Sequence, residues 1–196
     1  YSQDDSNRNA RETLFSGNVK IKAFRYVITS AVNGFGTCAE LALIKEKSTL
    51  KTSEIKGLGL SDGEDKAPEK EETKTDDKTA SPAAADEAAK TGWTVTASSS
   101  KVPAERAIDS DMATIWHSGY ENEGSTITSK DEAPYTLEVT LPKAESFSGF
   151  RYYPRQDGSA AGIAQAAELH LSEDGKTFTK VGEMTYSEEL SNRGAR

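Results

Sequence analysis

The sequence predicts an all-β fold, a β-sandwich of the jelly-roll type, together with a disordered acidic linker. From residue 91 onward, short runs of alternating apolar and polar residues are separated by turn residues, the pattern of half-buried strands. Residues 62–85 contain no aromatic residue and almost nothing to bury, the pattern of a solvated linker. Strand-like runs also precede that stretch, so the linker separates two β-rich pieces.

The N-terminal piece, residues 1–45, contains two predicted strands. Residues 1–17 are polar and carry no strand pattern, whereas residues 19–28 alternate between apolar and polar side chains. Residues 33–36 read Asn-Gly-Phe-Gly, which predicts a turn because glycine adopts positive φ freely. Residues 39–44 predict the second strand.

Residues 46–90 form an acidic stretch that is rich in alanine, lysine and glutamate and contains two prolines. A segment with so little apolar surface does not offset the entropy lost on ordering, so we expect it to stay solvated. Pro68 and Pro82 would interrupt a helix through it, although residues 86–90 are compatible with one helical turn.

The C-terminal piece, residues 91–196, has the clearest strand patterns. Apolar residues alternate through 135–141, and a second strand is predicted at 147–153. The runs 168–172 and 177–181 flank an Asp-Gly turn, which predicts a hairpin.

The composition limits the class of function. Of the 196 residues, 35% are hydrophobic and 29% are charged, and the net charge is −8. This acidity argues against a nucleic-acid partner, and no run approaches the ~20 apolar residues of a membrane span, so no membrane insertion is expected. No zinc, nucleophile or phosphate motif is present, which argues against an enzyme. Cys38 is the only cysteine, and we expect a buried small side chain rather than a reactive thiol.

Residues 107–114 crowd hard oxygen atoms into one short loop. Asp109, Asp111 and Thr114 each offer a side-chain oxygen. Calcium accepts several oxygen ligands in a loose geometry, so the loop suits Ca²⁺. An acidic surface turn without an ion explains the same residues, and this alternative stays open.

Two aromatic residues and a histidine follow this loop directly. Trp116, His117 and Tyr120 suit a sugar, because an aromatic ring covers the flat C–H face of a pyranose while the imidazole binds a hydroxyl. The alternative is that Trp116 fills the core and His117 faces solvent.

Five segments together carry a family resemblance. In order and spacing, they resemble the F5/8 type C (discoidin) family, and most of all the family 32 carbohydrate-binding modules of bacterial surface enzymes. The segments are residues 92–100, 107–117, 135–141, 149–156 and 167–175. The resemblance implies a galactose-binding-domain-like sandwich.

The resemblance also implies a set of sugar-binding residues. Glu105, His117, Tyr120 and Arg155 stand where galactose-type modules carry a glutamate, a histidine, a stacking aromatic residue and an arginine. Phe35 offers a further stacking surface if the N-terminal piece completes the same sandwich.

Each of these residues also has a structural interpretation. Glu105 is compatible with a solvated loop carboxylate, and Arg155 with an ion pair to Asp157. The family asparagine has no counterpart, because Ala160 and Ala161 stand where an amide is expected, which weakens a strict preference for galactose.

A structural Ca²⁺ is implied by the same resemblance. Its ligands would be the side chains of Asp109, Asp111, Thr114 and Glu40 and the backbone carbonyl of Ala107. Such an ion would tie the strand that contains Glu40 to the loop beside the sugar site.

The two ends of the chain repeat each other. Residues 186–196 match residues 1–11 at seven of eleven positions, as expected for the same point in two copies of one domain. We therefore interpret the chain as one period of a tandem array, an internal piece of a longer protein, cut out of phase. Residues 1–45 either close the sandwich of 91–196 within one chain or exchange strands with a neighbouring module.

The function expected from the sequence is a non-catalytic carbohydrate-binding module. It would recognise galactose- or N-acetylgalactosamine-type glycans. By binding them it would hold a bacterial protein, either secreted or on the cell surface and in both cases extracellular, close to these glycans. The alternative is a protein-interaction or scaffold repeat on the same fold without sugar binding, since a fold does not determine a function.

Overall fold

The structure is a computed structural model that describes residues 10–45 and 86–186. Most of these residues form strands, with two short 3₁₀ helices at Val32–Gly34 and Ala104–Ala107. The strands are β1 Arg11–Ala31, β2 Thr37–Cys38, β3 Glu40–Lys45, β4 Thr94–Ala97, β5 Trp116–His117, β6 Tyr120–Glu123, β7 Thr126–Lys130, β8 Tyr135–Tyr153, β9 Ala164–Ser172 and β10 Thr179–Thr185. The expected all-β class is confirmed.

One six-stranded antiparallel sheet forms the frame of the domain. Its order is β10-β9-β1-β8-β3, and β4 pairs with the first half of β8. The two long strands β1 and β8 pair along most of their lengths, from Arg11 opposite Tyr152 to Ile28 opposite Tyr135. Strands β1 and β3, which precede residue 46, therefore lie in the same sheet as β4, β8, β9 and β10, which follow residue 93.

Two small ribbons accompany this sheet. Strand β2 pairs with β5, and β6 pairs with β7 as a hairpin around the positive-φ residue Gly124. The first ribbon again joins the N-terminal piece to the C-terminal piece, and both ribbons lie beside the candidate site described below.

The core is rich in aromatic residues. The rings of Tyr26 and Tyr152 stack with their centroids 5.0 Å apart, and Tyr152 stacks in turn on Tyr186 at 5.9 Å. Trp116 is fully buried, and its indole N–H donates to the Ser99 carbonyl (3.1 Å). Trp116 therefore belongs to the core, as the structural interpretation of its sequence position predicts. Cys38 is a free cysteine and is fully buried as well.

Strand boundaries differ from the sequence-based expectation at both long strands. Strand β1 begins at Arg11, although residues 1–17 carry no strand pattern. The Arg11 guanidinium is buried, donates to the Ala164 carbonyl (2.6 Å) and lies over the Tyr186 ring. The two strands expected at 135–141 and 147–153 are one continuous strand, β8.

The last residues of the expected linker belong to the folded domain. Asp86 accepts a hydrogen bond from the Lys45 N–H (2.8 Å), and the Ala88 N–H donates to the Leu43 carbonyl (2.9 Å). Residues 86–90 thus lie along the outer edge of β3. The rest of that linker, residues 46–85, lies outside the described residues, as does most of the repeat shared by the two ends of the chain.

Candidate functional site

The short β2–β5 ribbon brings Phe35 and His117 together. Thr37 pairs with His117 across this ribbon, and the Ser118 N–H donates to the Gly36 carbonyl (2.8 Å). The turn at 33–36, which was predicted from its glycines, therefore lies directly against the segment that carries the candidate histidine.

Gly36 permits this close approach because it has no side chain. A Cβ atom at residue 36 would lie 2.8 Å from the Tyr135 ring, closer than real Cβ atoms come to their neighbours, and 3.0 Å from the Trp116 ring, which is unusually tight. Any other residue would push the turn away from the core. Since Phe35 precedes Gly36, the position of the Phe35 ring depends on this contact.

Three rings form a compact aromatic cluster at this point. The Phe35 centroid lies 5.4 Å from that of His117 and 5.9 Å from that of Tyr120, and His117 and Tyr120 are 5.0 Å apart. The Phe35 ring meets the other two rings edge-to-face, at 61° and 74°, an arrangement that aromatic rings favour over a face-to-face sandwich, and His117 and Tyr120 are tilted by 59°. The three rings therefore pack directly against one another.

A cavity of about 260 Å³ opens beside these rings. Its volume lies just below the ~300–1,000 Å³ that is typical of small-molecule sites. Phe35, His117, Tyr120, Asn122, Ser125, Ile127 and Ala161 line it. Rings, an amide and a hydroxyl around one concave surface are the groups that a sugar requires.

Protonation of His117 is disfavoured in this environment. Burial lowers the pKa of His117 from its ordinary value, and the nearby Arg155 charge lowers it further. The Ser118 carbonyl and Asp157 act in the opposite direction and raise the pKa, but the net shift is downward. Nδ1 lies 2.9 Å from the Ser118 carbonyl oxygen, which assigns the proton of the neutral ring to Nδ1. Nε2 is then a hydrogen-bond acceptor for a hydroxyl.

Two lysines extend over the outer rings of the cluster. The Lys101 ammonium lies 5.1 Å from the Tyr120 centroid, and the Lys130 ammonium lies 5.0 Å from the Phe35 centroid. Lys130 also donates to the Asn33 carbonyl (2.6 Å), so it fixes the turn that carries Phe35. These cation–π contacts orient the rings and place two donors near the cavity.

Arg155 is engaged in structural contacts. Its guanidinium binds the Asp157 carboxylate through two hydrogen bonds (2.7 and 2.5 Å) and donates to the Ala161 carbonyl (2.9 Å). These bonds lower the pKa of Asp157. Arg155 does not itself line the cavity, but it holds Ala161, which does.

Glu105 lies apart from the cavity. It is exposed on the 3₁₀ helix Ala104–Ala107 and is not among the residues that line the cavity. Of the five predicted ligand residues, the structure thus brings three together around one cavity, places Arg155 behind it and leaves Glu105 outside it.

Sequence reasoning missed the β6–β7 hairpin, which supplies Asn122, Ser125 and Ile127 to the cavity. Both strands of this hairpin are largely exposed, so no alternation of buried residues marks them. The one usable signal was Gly124 between two polar runs. An amide does lie at the cavity, therefore, but Asn122 provides it rather than residues 160–161.

The loop of residues 107–114 is closed by its own hydrogen bonds. Asp109 accepts from the Asp111 N–H (2.9 Å) and from the Thr114 hydroxyl (2.7 Å). Asp111 accepts from the Ala113 N–H (2.9 Å). Among the residues that the structure describes, no group of three or more His, Cys, Asp or Glu side chains is arranged to hold a metal.

Glu40, the expected ligand from the neighbouring strand, binds a different cation. Its Oε1 lies 2.5 Å from the Lys90 ammonium, and its Oε2 accepts from the Ser110 N–H (2.8 Å). Burial raises the pKa of Glu40 to about 7, although Lys90 and the Ser110 N–H oppose the rise. A calcium ion on this carboxylate would stand beside a buried ammonium, and two cations repel strongly there. As they are placed here, these residues do not fit a calcium ion. The calcium site is therefore a prediction that rests on the family resemblance alone.

Comparison with known proteins places this architecture in a family. Residues 91–195 match the model of the F5/8 type C domain. The chain belongs to the F5/8 type C family. The all-β sheets described above are those of its jelly-roll β-sandwich, a binding-module fold that commonly recognises carbohydrates.

Relatives of this F5/8 type C domain include two kinds of protein. The chain is 31% identical over 88 residues to galactose oxidase of Gibberella zeae, and the match covers 44% of this chain and 12% of the oxidase. It is 30% identical over 73 residues to the A type blood N-acetyl-alpha-D-galactosamine deacetylase of Flavonifractor plautii, covering 37% of this chain and 8% of the deacetylase. The chain thus spans about a tenth of each of these proteins.

No helix in the described part of the F5/8 type C chain has the length and apolarity needed to cross a membrane.

Proposed function

We propose that this domain is a non-catalytic carbohydrate-binding module that binds a galactose- or N-acetylgalactosamine-type glycan in the cavity beside Phe35, His117 and Tyr120. The observation that carries the proposal is the convergence of these three rings, which come from both pieces of the chain, around one concave surface.

The polar groups of the cavity complement the rings. The neutral His117 offers Nε2 as an acceptor, while the Asn122 amide and the Ser125 hydroxyl add hydrogen-bonding groups. A sugar needs both kinds of contact, since its C–H face stacks on aromatic rings and its hydroxyls lose water that must be replaced by hydrogen bonds.

The relatives support the class of sugar. Both relatives are named for galactose or for N-acetylgalactosamine, although the matched segment is a small part of each protein. We extend the same class of sugar to this chain, and we propose that the module holds a larger bacterial surface or secreted protein close to such glycans.

Titration calorimetry of the full chain with methyl galactoside, N-acetylgalactosamine and methyl glucoside tests the proposal. We expect binding of the two galacto-configured sugars, loss of that binding in His117→Ala and Tyr120→Ala, and retention in His170→Ala. His170 is a suitable control because it is the other of the two histidines and lies on β9. Equal binding of all three sugars, or none at millimolar concentration, would overturn the proposal.

One observation favours the second candidate, a protein-interaction repeat. Arg155 is committed to Asp157 and Ala161, so it is not placed at the cavity to orient a hydroxyl. If no galactosyl glycan binds, a macromolecular ligand on the same aromatic surface becomes the better explanation, and His117→Ala would then be tested against that ligand.

A further inference from the structure

The segment just before the family match carries a buried cation. Lys90 immediately precedes residues 91–195, which match the F5/8 type C model. Its side chain is 6% exposed and that of Glu40 is 3% exposed, so their 2.5 Å contact is almost completely shielded from water. A lysine is rarely this buried unless a carboxylate compensates its charge.

Backbone pairing, and not the side chain alone, fixes the position of Lys90. Residues 86–88 lie along β3 through an isolated bridge between Ile44 and Glu87 and through the Ala88 N–H bond to the Leu43 carbonyl (2.9 Å). Beyond Lys90, its carbonyl accepts the Trp93 N–H (3.0 Å). The ammonium is thus held over Glu40 from both sides along the chain.

Glu40 connects this segment to the loop beside the candidate site. One carboxylate oxygen binds Lys90, and the other accepts the Ser110 N–H (2.8 Å). Ser110 adopts a positive φ of 65°, which is unfavourable for a residue with a side chain, and this hydrogen bond helps to hold it there. Three separate parts of the chain therefore meet at one carboxylate.

We propose that the Lys90 ammonium takes the place of the calcium ion that the family resemblance implies, so that β3 and the 107–114 loop are joined by an internal cation and the domain folds and stays folded without Ca²⁺. The same connection that an ion would make through Glu40 is made by a residue of the chain itself.

The test measures the melting temperature of the full chain in EDTA and in millimolar Ca²⁺, for the wild type and for Lys90→Met. We expect the wild type to melt at the same temperature in both buffers. Lys90→Met should melt about 10 °C lower, because it leaves a buried carboxylate without its counter-ion. Lys20→Met is the matched control, since Lys20 pairs with Glu173 on the surface and should shift little.

Two results would overturn the proposal. A wild type that melts several degrees lower in EDTA than in Ca²⁺, with the difference abolished in Glu40→Gln, would show that an ion binds Glu40. A Lys90→Met variant as stable as Lys20→Met would show that the ammonium has no structural role. If Lys90→Met fails to fold, the wild type and Glu40→Gln are each titrated with Ca²⁺ in a calorimeter. Heat of Ca²⁺ binding that the wild type shows and Glu40→Gln does not would refute the proposal.

Discussion

Gly36 and Ser118, which are 82 residues apart in sequence, are joined by two hydrogen bonds. The Gly36 N–H donates to the Ser118 hydroxyl (2.9 Å), and the Ser118 N–H donates to the Gly36 carbonyl (2.8 Å). This pair fastens the N-terminal turn to the segment that carries His117. The candidate site consequently exists only when residues 10–45 complete the sheet of residues 86–186.

Replacing Ser118 by alanine tests this connection. Ser118 is fully buried, so the variant leaves the Gly36 N–H without its acceptor in the interior. We expect a loss of ~1–3 kcal/mol in the free energy of unfolding, measured by urea denaturation. Ser129→Ala, at an exposed position on β7, is the control and should change stability by less than about 0.5 kcal/mol. An equal effect of the two variants would contradict the role assigned to Ser118.

The ring of Phe35 should contribute to affinity beyond its apolar area. Phe35→Leu keeps a buried apolar side chain but removes the ring contacts to His117 and Tyr120. We expect Kd for methyl galactoside to rise by up to about tenfold, corresponding to ~0.5–1.5 kcal/mol, with the melting temperature little changed. Phe178→Leu, whose ring contacts Arg25 instead, should leave Kd unchanged. Unaltered affinity in Phe35→Leu would remove Phe35 from the site.

Regular alternation made part of this structure predictable. Strand β9 and the first half of β8 each bury alternate residues, so their sequences show period two and both were predicted. The start of β1 was missed because its outer residues are exposed and its buried residue, Arg11, is charged. No apolar pattern marks such a strand, although pairing with β8 stabilises it.

Within the site, single residues were easier to predict than their neighbourhood. His117 and Tyr120 follow each other closely in sequence, so their proximity was expected. The arrangement around them depends on long-range contacts, namely the Gly36 approach to the core and the β6–β7 hairpin that carries Asn122. The pairing of Arg155 with Asp157 was foreseen as an alternative and is what the structure shows. Lys90 was assigned to the linker, because composition does not reveal a partner 50 residues away.

Stability should fall on mild acidification because of His117. Burial lowers the pKa of His117 from its ordinary 6.5 in the folded protein, so the unfolded chain takes up the proton first as the pH falls. The contribution of the neutral His117 to the free energy of unfolding is fully present above about pH 6.5. It is lost as the pH falls through the pKa that His117 has in the folded protein.

Two measurements check this pH dependence. Melting temperatures between pH 7.5 and 5 should fall less in His117→Gln than in the wild type, because glutamine does not take up a proton. NMR titration of the imidazole C2 proton should give a midpoint below the ordinary value, and the spectrum of His170→Gln identifies the resonance, since the chain has two histidines. A midpoint at or above that of a free histidine would contradict the burial of the ring.

Arg151 should be among the most important charged residues for stability. Its side chain is 9% exposed and binds Asp86 through two hydrogen bonds of 2.7 Å, and it also contacts Glu12 and Glu87. These carboxylates, Asp86 above all, raise the pKa of Arg151. The Glu87 carboxylate is buried and also accepts a hydrogen bond from the Tyr153 hydroxyl. Arg151→Met would remove the positive charge beside this carboxylate and leave it that hydroxyl.

We expect Arg151→Met to lower the free energy of unfolding by ~3–5 kcal/mol, the cost of removing one member of a buried ion pair. Lys143→Met is the control, because Lys143 pairs with Glu145 on the surface and such pairs contribute ~0–1 kcal/mol. Urea denaturation of both variants gives the comparison. Because Arg151 binds residues 86–87 directly, its loss should also expose the Ala88 amide, so hydrogen exchange at that amide should rise in Arg151→Met and not in Lys143→Met. Protection of Ala88 that is unchanged in both variants would show that β3 holds the segment without Arg151.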